Sequence, residues 1–387
     1  MDAATLGAVS KAFDVAVVGA GVVGAAIAYE CASRGARVVL LDRDRPGAHA
    51  SGAAAGMLAP CSEAHQAGPF LDFARQSCAM WPSFAERVRE DGGVDPELSV
   101  DGLLRVAVDA DAAGEVRERL RWQHDAGIAE GAWVDTAAAC DLEPALRGDV
   151  EGAAWYPREG HVHSQHAVRA LVAAAVAQGA EVMAGAEVVG PASHGVRLRD
   201  GTEIAAGHVV LAAGAWLGDL SAAFGCPLPV RPIHGQLVAL ANLPRSPRRV
   251  LFAGLLGYVV AKRDGTVLAG ATEKDRGFDA ATHPEATQRL LTTARRLLHG
   301  AEHATVTHAW AGLRPAAPDR LPLLGQLAHS PDVVVAGAHY RNGVLLAPAT
   351  AHGIAGMLLD GIAPQGWSAF DPRRPTAQLG SASTTCA

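Results

Sequence analysis

Near the start of the chain, a short apolar run is followed by three glycines, Gly19, Gly21 and Gly24, in a GxGxxG arrangement. In such an arrangement the first glycine permits a tight turn, the second lets the backbone approach a pyrophosphate, and the third allows a helix to pack closely on a strand. A helix that begins at such a turn offers unpaired N–H groups and the positive end of its dipole to phosphate oxygens. The arrangement therefore predicts a binding site for a dinucleotide.

The elements that must hold this turn are also indicated. Residues 14–18 form a β-branched apolar run typical of a buried parallel strand, and residues 25–34 have the composition of a helix that Gly35 ends. Residues 37–41 predict a second strand. Asp42 follows about 20 residues after the turn, where a carboxylate can accept hydrogen bonds from ribose hydroxyls. A dinucleotide-binding unit requires this order of elements.

Other glycine-containing segments also follow strands. Residues 51–58 carry small side chains that would let the backbone lie against a flat ligand, although a plain alanine-rich helix start is an equal alternative for the segment alone. Their position after the second strand favours contact with the cofactor. Gly343 begins a helix beside the end of a predicted strand, and Gly214 turns the chain after another buried strand.

A histidine cluster, His161, His163 and His166, has an HxHxxH arrangement that suggests a metal site. This spacing does not place the three side chains on one face of a strand or helix, and no carboxylate or cysteine stands at ligand spacing. We therefore interpret the cluster as a solvated turn that enters a helix, and we predict no metal.

Length and composition restrict the class of protein. The 387 residues are enough for two domains, and an apolar fraction of 49% is enough for a sizeable core. The net charge of −7 argues against a nucleic acid or an anionic membrane as partner, because such partners need a basic face. The six scattered cysteines form no CxxC pair, as expected of reduced thiols in a cytoplasmic protein. Residues 1–12 show no signal peptide, and the most apolar window, residues 15–29, is too short to span a membrane.

Hydrophobic period and turn signals predict the remaining elements. Helices are expected at residues 70–89, 111–126, 164–178, 284–299 and 343–359, with Ser164 as the cap of the third. Strands are expected at residues 102–108, 181–184, 186–189, 208–216, 235–240, 258–263, 266–269 and 333–337. Hairpin turns are expected at Asp200 with Gly201 and at Asp264 with Gly265.

Two kinds of unit alternate along the chain. The nucleotide-binding pattern occupies residues 13–75 and resumes at 150–227 and 312–372, whereas residues 76–149 and 228–311 form a second domain that carries the hairpin of an antiparallel sheet. We predict an α/β fold with a Rossmann-type domain and a second, α+β domain built on an antiparallel sheet. Residues 373–387, rich in Pro, Thr, Ser and Ala, are predicted to form a disordered tail.

Four segments together resemble the FAD-dependent glycine oxidases of thiamine biosynthesis, within the D-amino-acid oxidase and sarcosine oxidase group. They are the glycine turn and residues 51–58, 310–315 and 339–348, and the resemblance runs from about residue 13 to 372. The glycine turn alone indicates only a dinucleotide, whereas the last two segments, in the right order and at the right distance, are far more selective. The resemblance implies an FAD domain of Rossmann type, a substrate domain with an antiparallel sheet, and an FAD-dependent amino acid oxidase.

The resemblance also implies which residues hold the cofactor. Val22 and Val23 would line the pyrophosphate, Asp42 and Arg43 would meet the adenosine ribose, Val188 would offer its backbone to adenine, and later segments would line the flavin. The complete implied set is Gly19, Gly21, Val22, Val23, Gly24, Asp42, Arg43, Ala50, Ser51, Ala55, Gly56, Met57, Val188, Gly214, His339, Tyr340, Arg341, Asn342, Gly343, Val344 and Leu345.

We expect FAD to be bound noncovalently. Sarcosine oxidases attach flavin to a cysteine in the C-terminal half. In this chain Cys386 lies in the predicted tail, and Cys226 comes too early in the sequence.

For the substrate, the resemblance implies that Arg314 binds the carboxylate, that the Tyr258 hydroxyl assists and that Arg341 lies close by. Taken alone, Arg314 could form a structural ion pair, but between Leu313 and Pro315 it has no helical partner, which favours substrate binding. The implied reaction moves a hydride from the substrate Cα to the flavin, yields an imine and passes the electrons to dioxygen as hydrogen peroxide.

Three residues depart from the family pattern. They are His234, where many relatives carry arginine; Leu256, near a histidine of some glycine oxidases; and Glu273, where some have an apolar residue. The departures leave the choice among glycine, sarcosine and small D-amino acids open.

The expected function is oxidative deamination of glycine to an imine and glyoxylate for thiazole synthesis. An alternative is a flavin-dependent D-amino-acid or sarcosine dehydrogenase that uses an acceptor other than dioxygen. The segments after Trp310 speak against a nicotinamide-dependent dehydrogenase, and the presence of both Arg314 and Tyr258 speaks against a noncatalytic FAD-binding subunit. We expect a cytoplasmic homo-oligomer without a nucleic-acid or membrane partner.

Overall fold

The computed structural model describes residues 13–375, so the predictions for residues 1–12 and 376–387 lie outside the described residues. The nucleotide motif folds as predicted, into strand Phe13–Val18, helix Val22–Ser33 and strand Val38–Asp42. Val15 and Val17 face one apolar core and Ala16 faces another, as expected for a parallel strand that is covered on both faces.

The first sheet has eight strands within the described residues, and its central pairs are parallel. In pairing order, six of them are Leu323–Leu327, Ser330–Gly337, Glu203–Leu211, Phe13–Val18, Val38–Asp42 and Glu181–Ala184. Strands Gly195–Leu198 and Val188–Ala192 extend Glu203–Leu211 in antiparallel pairs. The parallel strands end at one edge, which is where open α/β sheets bind ligands.

Four helices pack in one apolar core against this sheet. They are Val22–Ser33, Pro69–Gly92, Ser164–Ala177 and Gly343–Ala355. Phe73, Trp81 and Phe84 of the second helix are buried in that core, and the helix predicted at residues 70–89 is confirmed. This helix runs without interruption through residue 76, where the sequence placed a domain boundary.

The second sheet also has eight strands within residues 13–375, and its pairs are antiparallel except for one. In pairing order they are Thr305–Ala316, Arg231–Ala241, Val267–Gly270, Tyr258–Ala261, Val250–Phe252, Leu103–Ala107, Gly152–Tyr156 and Ala132–Val134. Asp264 and Gly265 lie in the hairpin turn, as predicted. The predicted fold class is confirmed.

The remaining elements are short or cover the second sheet. Helix Pro284–Leu297 buries Leu290, Ala294 and Leu297 against it. A ribbon of two strands pairs Met57–Leu58 with Gly160–His161. The other helices of the described range are Ala50–Ala53, Pro60–Glu63, Ala110–Asp125, Thr136–Leu142 and Leu217–Ala223. Tighter or wider helical turns occur at Gly214–Trp216, Gly254–Leu256, Ala301–His303, Gly356–Asp360 and Trp367–Phe370.

Three local predictions are wrong. Ser164 is helical instead of capping, because its hydroxyl donates to the Ala54 carbonyl at 2.5 Å and His163 is the cap. The strand expected at residues 186–189 begins later, at Val188, because the Ala186 N–H donates to the Asp42 carbonyl. The solvated turn expected at the histidine cluster fails for His161, which is buried in the ribbon.

Two segments near the end of the described range concern the predictions about membrane-spanning segments and about a disordered C-terminal tail. Among the described residues, helical stretch Gly343–Asp360 is long and apolar enough to cross a membrane, and 61% of it is buried inside the protein. At the start of the predicted tail, the Arg374 guanidinium binds the Asp319 carboxylate at 2.8 Å and the Leu321 carbonyl at 3.0 Å.

Candidate active site

Two adjoining cavities open at the edge where the parallel strands of the first sheet end. The larger has a volume of about 500 Å³ and the smaller of about 150 Å³. Both are lined by Gly21, Ala50, Ser51, Ala212 and Gly214, so they form the two ends of one cleft. The smaller cavity is also lined by residues of the second sheet, and the cleft therefore runs between the sheets.

The glycines of the turn are required by close backbone contacts. Gly19 has a φ of +108°, and a Cβ at this position would lie 2.4 Å from the carbonyl oxygen of Ala212. A Cβ on Gly24 would lie 1.9 Å from the carbonyl oxygen of Gly19. A side chain at either position would push the turn away from the sheet.

Asp42 ends its strand and lines the larger cavity. Its carboxylate accepts the Ala20 N–H at 2.7 Å and the Asp44 N–H at 2.9 Å, one on each oxygen. Because a carboxylate oxygen can accept more than one hydrogen bond, Asp42 can hold the turn and still accept ligand hydroxyls. The sequence spacing predicted only the contact with the ligand.

Two helices begin at the cleft with N–H groups that no helical carbonyl accepts. Val22 donates its N–H to Ser51 Oγ at 2.9 Å, which fixes this hydroxyl beside the turn. The other helix begins with Gly343 and Val344 at the smaller cavity, and its N-cap, Asn342, makes no side-chain cap. The donors and positive dipole ends suit electronegative ligand atoms.

The outer wall of the larger cavity combines a cation, an aromatic ring and an apolar strand. The Arg43 guanidinium lies 3.8 Å from the centre of the Trp216 ring, and the His49 ring packs on Trp216 at 4.5 Å. Val188 begins the strand at the same cavity. Such a wall suits a flat heterocycle. Trp216 was not predicted as a site residue. The sequence feature that could have identified it is its position two residues after Gly214.

Arg314 lies at the smaller cavity without a counter-ion among the described residues. Its guanidinium donates to the Thr272 carbonyl at 3.0 Å and to the His234 carbonyl at 3.4 Å, and no carboxylate of residues 13–375 forms a salt bridge with it. Burial lowers the pKa of Arg314, and the charge of Arg341 lowers it further. A guanidinium nevertheless remains charged in proteins, so the cavity holds an uncompensated positive charge that suits a carboxylate.

Two glycines of the second sheet make room for the polar groups of this cavity. A Cβ on Gly235 would lie 2.1 Å from Nη1 of Arg314, and a Cβ on Gly270 would lie 2.5 Å from the Tyr258 hydroxyl. Neither glycine was predicted, because their role depends on strands that pair far apart in the sequence.

Tyr258 presents a hydroxyl that has no partner among the described residues. The residue is only 7% exposed, and it lines the smaller cavity. Burial raises the pKa of Tyr258 to about 12. The hydroxyl therefore stays protonated and can donate a hydrogen bond to a ligand.

Arg341, in contrast, is compensated by two carboxylates. Its Nε lies 3.4 Å from Glu63 and its Nη1 lies 3.7 Å from Glu273, which also binds Arg320 at 3.2 Å. The Glu63 carboxylate raises the pKa of Arg341 further above its usual range. This pairing explains why a glutamate stands at position 273, where the family pattern has an apolar residue in some members. Glu63 was not predicted, because it lies in a short helix without a motif.

Residues 339–345 turn sharply between a strand and a helix. Tyr340 has a φ of +52°, and its N–H donates to the Pro315 carbonyl at 2.9 Å. Nε2 of His339 lies 3.1 Å from Oγ1 of Thr350. Burial lowers the pKa of His339 to about 3, so its ring is neutral.

Most of the predicted site residues line the cleft. In the larger cavity these are Gly19, Gly21, Asp42, Arg43, Ala50, Ser51, Val188 and Gly214. In the smaller cavity they are Gly21, Val22, Val23, Ala50, Ser51, Ala55, Gly56, Met57, Gly214, Tyr258, Arg314, His339, Tyr340, Arg341, Gly343 and Val344. Gly24, Asn342 and Leu345 line neither cavity, and Leu345 is buried in the core.

The described residues place no cysteine and no cluster of metal-ligating side chains in the cleft. No cysteine of residues 13–375 lines either cavity, and Cys386 lies outside the described residues. Within the same range, no group of three or more His, Cys, Asp and Glu side chains could hold a metal ion.

The donor set of the cleft fits FAD. At the larger end, the glycine turn, the helix that follows it and Asp42 suit a pyrophosphate and a ribose. At the smaller end, the N–H groups of Ala55 and Gly56 have no partner among the described residues, and a helix begins there. These unpaired donors suit the polar edge of a flat ring system.

Known proteins with similar sequences include FAD enzymes. The family described as FAD dependent oxidoreductase (DAO) matches residues 14–357. The glycine oxidase of Geobacillus kaustophilus is 35% identical over 365 residues, which cover 93% of this chain and 95% of that protein. The bifunctional protein ThiO/ThiG of a Nostoc species is 36% identical over 356 residues and 90% of this chain. The chain spans about half, 53%, of the length of that bifunctional relative.

A solved structure shows the same fold. The crystal structure of glycine oxidase from Geobacillus kaustophilus matches 95% of this chain and 100% of that chain, with a TM-score of 0.89 and 34% identity. The predicted resemblance is confirmed, and FAD is the cofactor. Because the family match covers most of the chain and the Geobacillus enzyme is similar along nearly its whole length, this chain belongs to the DAO family of FAD dependent oxidoreductases.

Proposed function

We propose that the chain is a glycine oxidase, which oxidises glycine and other small amino acids, such as sarcosine or D-alanine, and reduces dioxygen to hydrogen peroxide. The observation that carries the proposal is the guanidinium of Arg314, which has no salt bridge with a carboxylate of residues 13–375, in a cavity of about 150 Å³ at one end of the cleft. The glycine oxidases among the relatives support the choice of substrate.

Arg314 is the group that binds the substrate carboxylate in this proposal. Its bonds to the Thr272 and His234 carbonyls fix the guanidinium plane, and the remaining N–H donors are free for a bidentate contact. Because the substrate is anchored through its carboxylate, its Cα is held at a set distance from the wall of the cavity.

Tyr258 and Arg341 have smaller roles. The neutral Tyr258 hydroxyl donates a second hydrogen bond to the carboxylate, which fixes its orientation. Arg341 forms ion pairs with Glu63 and Glu273, so it attracts the substrate carboxylate less strongly than Arg314 does. Its role in this proposal is to close one side of the cavity.

The cofactor assignment follows the two ends of the cleft. Gly19, Gly21, Val22 and Val23 hold the pyrophosphate, while Asp42, Arg43, Val188 and Gly214 hold the adenosine side. The flavin side is held by Ala50, Ser51, Ala55, Gly56, Met57, His339, Tyr340, Gly343 and Val344. Bound at these residues without a covalent link, FAD would supply an acceptor for the substrate hydride and a donor of electrons to dioxygen.

The cellular context is part of the same proposal. The relatives named ThiO/ThiG support a supply of imine for thiazole synthesis in thiamine biosynthesis. We further propose a cytoplasmic homo-oligomer that needs no nucleic acid or membrane. Residues 13–75, 150–227 and 312–372 form its FAD domain and residues 76–149 and 228–311 its substrate domain.

Oxygen consumption with a panel of amino acids tests the proposal. Glycine, sarcosine and D-alanine should be oxidised with release of peroxide, and D-phenylalanine should be a poor substrate because a cavity of about 150 Å³ leaves little room for an aromatic side chain. The rate at low substrate concentration should rise with pH, as the substrate ammonium loses its proton. A preference for D-phenylalanine would contradict the assigned cavity. Flavin reduction without oxygen uptake would identify a dehydrogenase instead.

A further inference from the structure

Lys262 is a buried cation that the assigned chemistry does not use. It lies just beyond strand Tyr258–Ala261, is only 6% exposed, and forms no salt bridge with a carboxylate of residues 13–375. Its Nζ donates to the Ala55 carbonyl at 2.6 Å and to the Val162 carbonyl at 2.8 Å, and it lies 3.3 Å from Nδ1 of His161. Burial of a cationic group is costly unless hydrogen bonds or an opposite charge offset it, and Lys262 relies on these three polar contacts.

These bonds hold the segment that lines the flavin end of the cleft. Its successive carbonyls each accept a bond from a distant side chain: that of Gly52 from Gln165 at 3.0 Å, that of Ala53 from Trp310 at 3.0 Å, that of Ala54 from Ser164 at 2.5 Å and that of Ala55 from Lys262. All four carbonyls are therefore occupied outside the smaller cavity.

The amide groups of the same segment remain free. The N–H groups of Ala54, Ala55 and Gly56 donate to no group of the described residues, and all three residues line the smaller cavity. In a trans peptide the N–H points opposite to the carbonyl. With the Ala55 carbonyl held by Lys262, the Gly56 N–H is turned away from Lys262 and towards the cavity.

We propose that Lys262 is a positioning residue of the cofactor site, which fixes the Ala55–Gly56 peptide so that the Gly56 N–H donates to the flavin ring. The inference rests on the proposed function, because it takes the smaller cavity as the flavin site. On the other side of this peptide, the Gly56 carbonyl accepts the Val162 N–H at 2.9 Å, so the backbone is held both before and after Gly56. The peptide therefore has one orientation as long as its carbonyl is bound.

The protonation state of Lys262 does not alter this role. Burial lowers the pKa of Lys262 to about 7, and the carboxylates of Glu97 and Asp264 oppose that shift. The carbonyls of Ala55 and Val162 need two N–H donors, and a neutral amine supplies as many.

Three variants of the full-length, FAD-loaded enzyme test the inference. Lys262→Met keeps the length of the side chain and removes its donors, and Lys262→Gln keeps N–H donors. Arg263→Met is the matched control, since this neighbour is exposed and pairs with Asp95. The measurements are the visible flavin absorption spectrum, the rate of FAD release on dilution, and KM and kcat for glycine.

The Met variant should shift the flavin absorption maxima and release FAD about tenfold faster or more, as expected for a lost buried hydrogen bond. Its KM for glycine should stay within about twofold, because Arg314 binds the carboxylate. Lys262→Gln should recover much of the wild-type spectrum, and the control should match the wild type. A Met variant with the wild-type spectrum and release rate would overturn the role of Lys262.

Hydrogen exchange of the wild-type protein is a second test, which does not require the Lys262→Met variant to fold. FAD should slow amide exchange in residues 54–56 of the wild-type protein by about tenfold or more, since a bonded N–H exchanges only on opening. Equal exchange with and without FAD would overturn the inference. A wild-type protein that holds no flavin would instead contradict the proposed function and this inference together.

Discussion

At the scale of the residue, the charge balance of the smaller cavity decides which ligand it can hold. Arg314 has no counter-ion within residues 13–375, whereas Arg341 faces two carboxylates. Arg314→Ala should leave FAD bound and raise KM for glycine, because the substrate carboxylate would be buried without its partner at a cost of about 2–5 kcal/mol. Steady-state kinetics of the FAD-loaded variant measure this change.

Two companion variants make the test on Arg314 specific. Arg314→Lys should recover only part of the activity, because a point charge does not reproduce the planar fork of a guanidinium. The control is Arg231, an exposed arginine that pairs with Asp275 and begins the strand next to the one that carries Arg314. Arg231→Ala should leave KM for glycine unchanged. Normal glycine kinetics in Arg314→Ala would show that another group binds the carboxylate.

A second prediction concerns Asp42, which holds the glycine turn and faces the larger cavity. Asp42→Ala should weaken FAD binding by about 2 kcal/mol or more, because both the Ala20 N–H and the ribose hydroxyls lose a charged acceptor. Asp42→Asn keeps one acceptor oxygen, so its affinity for FAD should lie between that of Asp42→Ala and that of the wild type. Asp332→Asn alters an exposed carboxylate of strand Ser330–Gly337 that lines neither cavity, and it should bind FAD normally. Fluorescence titration of the apoprotein gives the dissociation constants, and equal values for all four proteins would exclude a role for Asp42.

At the scale of the element, helix Pro60–Glu63 shows how a very short helix can be held in a fixed place. Glu159 accepts two of its backbone N–H groups, at 2.6 and 2.9 Å, while Arg105 and Gln123 each donate to one of its carbonyls at 2.7 Å. A helix of this length is not stable by itself. Its last residue, Glu63, pairs with Arg341. These four bonds, which we call the clamp, therefore position a carboxylate that lines the smaller cavity.

The clamp predicts a dependence of stability on pH. Burial raises the pKa of Glu159 from 4.5 to about 7. The folded state therefore binds a proton that the unfolded state has lost, so the contribution of Glu159 is complete below pH 4.5 and is lost as pH rises through about 7. Glu159→Gln should remove this loss, which is on the order of 3 kcal/mol. Denaturant unfolding between the two pH values measures the difference.

An exposed glutamate provides the control for this measurement. Glu151→Gln changes an exposed residue directly before strand Gly152–Tyr156, which Glu159 follows along the chain, and it should keep the wild-type dependence on pH. If Glu159→Gln and Glu151→Gln lose stability equally over that range, Glu159 does not titrate with a raised pKa.

Sequence could predict the elements that follow local rules. The glycine turn and the hairpin at Asp264 depend on neighbours within a few residues or on one βαβ unit, and the structure has both as predicted. Asp42 ends its strand beside the larger cavity, and its contact with a ribose stays a prediction. Glu63 and Lys262 could not be found in this way. Their partners are distant in sequence, and a lone acidic or basic residue carries no periodic signal.

At the scale of the whole molecule, the cleft is shared between the two sheets. Its larger end is lined by strands of the first sheet, and its smaller end also by Gly235, Tyr258 and Arg314 of the second. A ligand that fills both ends must contact both sheets, so its binding energy opposes any motion that separates them.

Removal of FAD should therefore lower the stability of the entire chain. A ligand that binds only the folded state stabilises it by about 2.7 kcal/mol when present at 100 times its dissociation constant. Calorimetry of the apoprotein should give a melting temperature that rises with added FAD. ADP can reach only the larger cavity and FMN lacks the adenosine that fills it, so each should stabilise the protein less than FAD at equal concentration. Equal stabilisation by ADP and FAD would mean that the smaller cavity takes no part in holding the cofactor, and the assignment of Ala55, Gly56 and the second sheet to the flavin would fall with it.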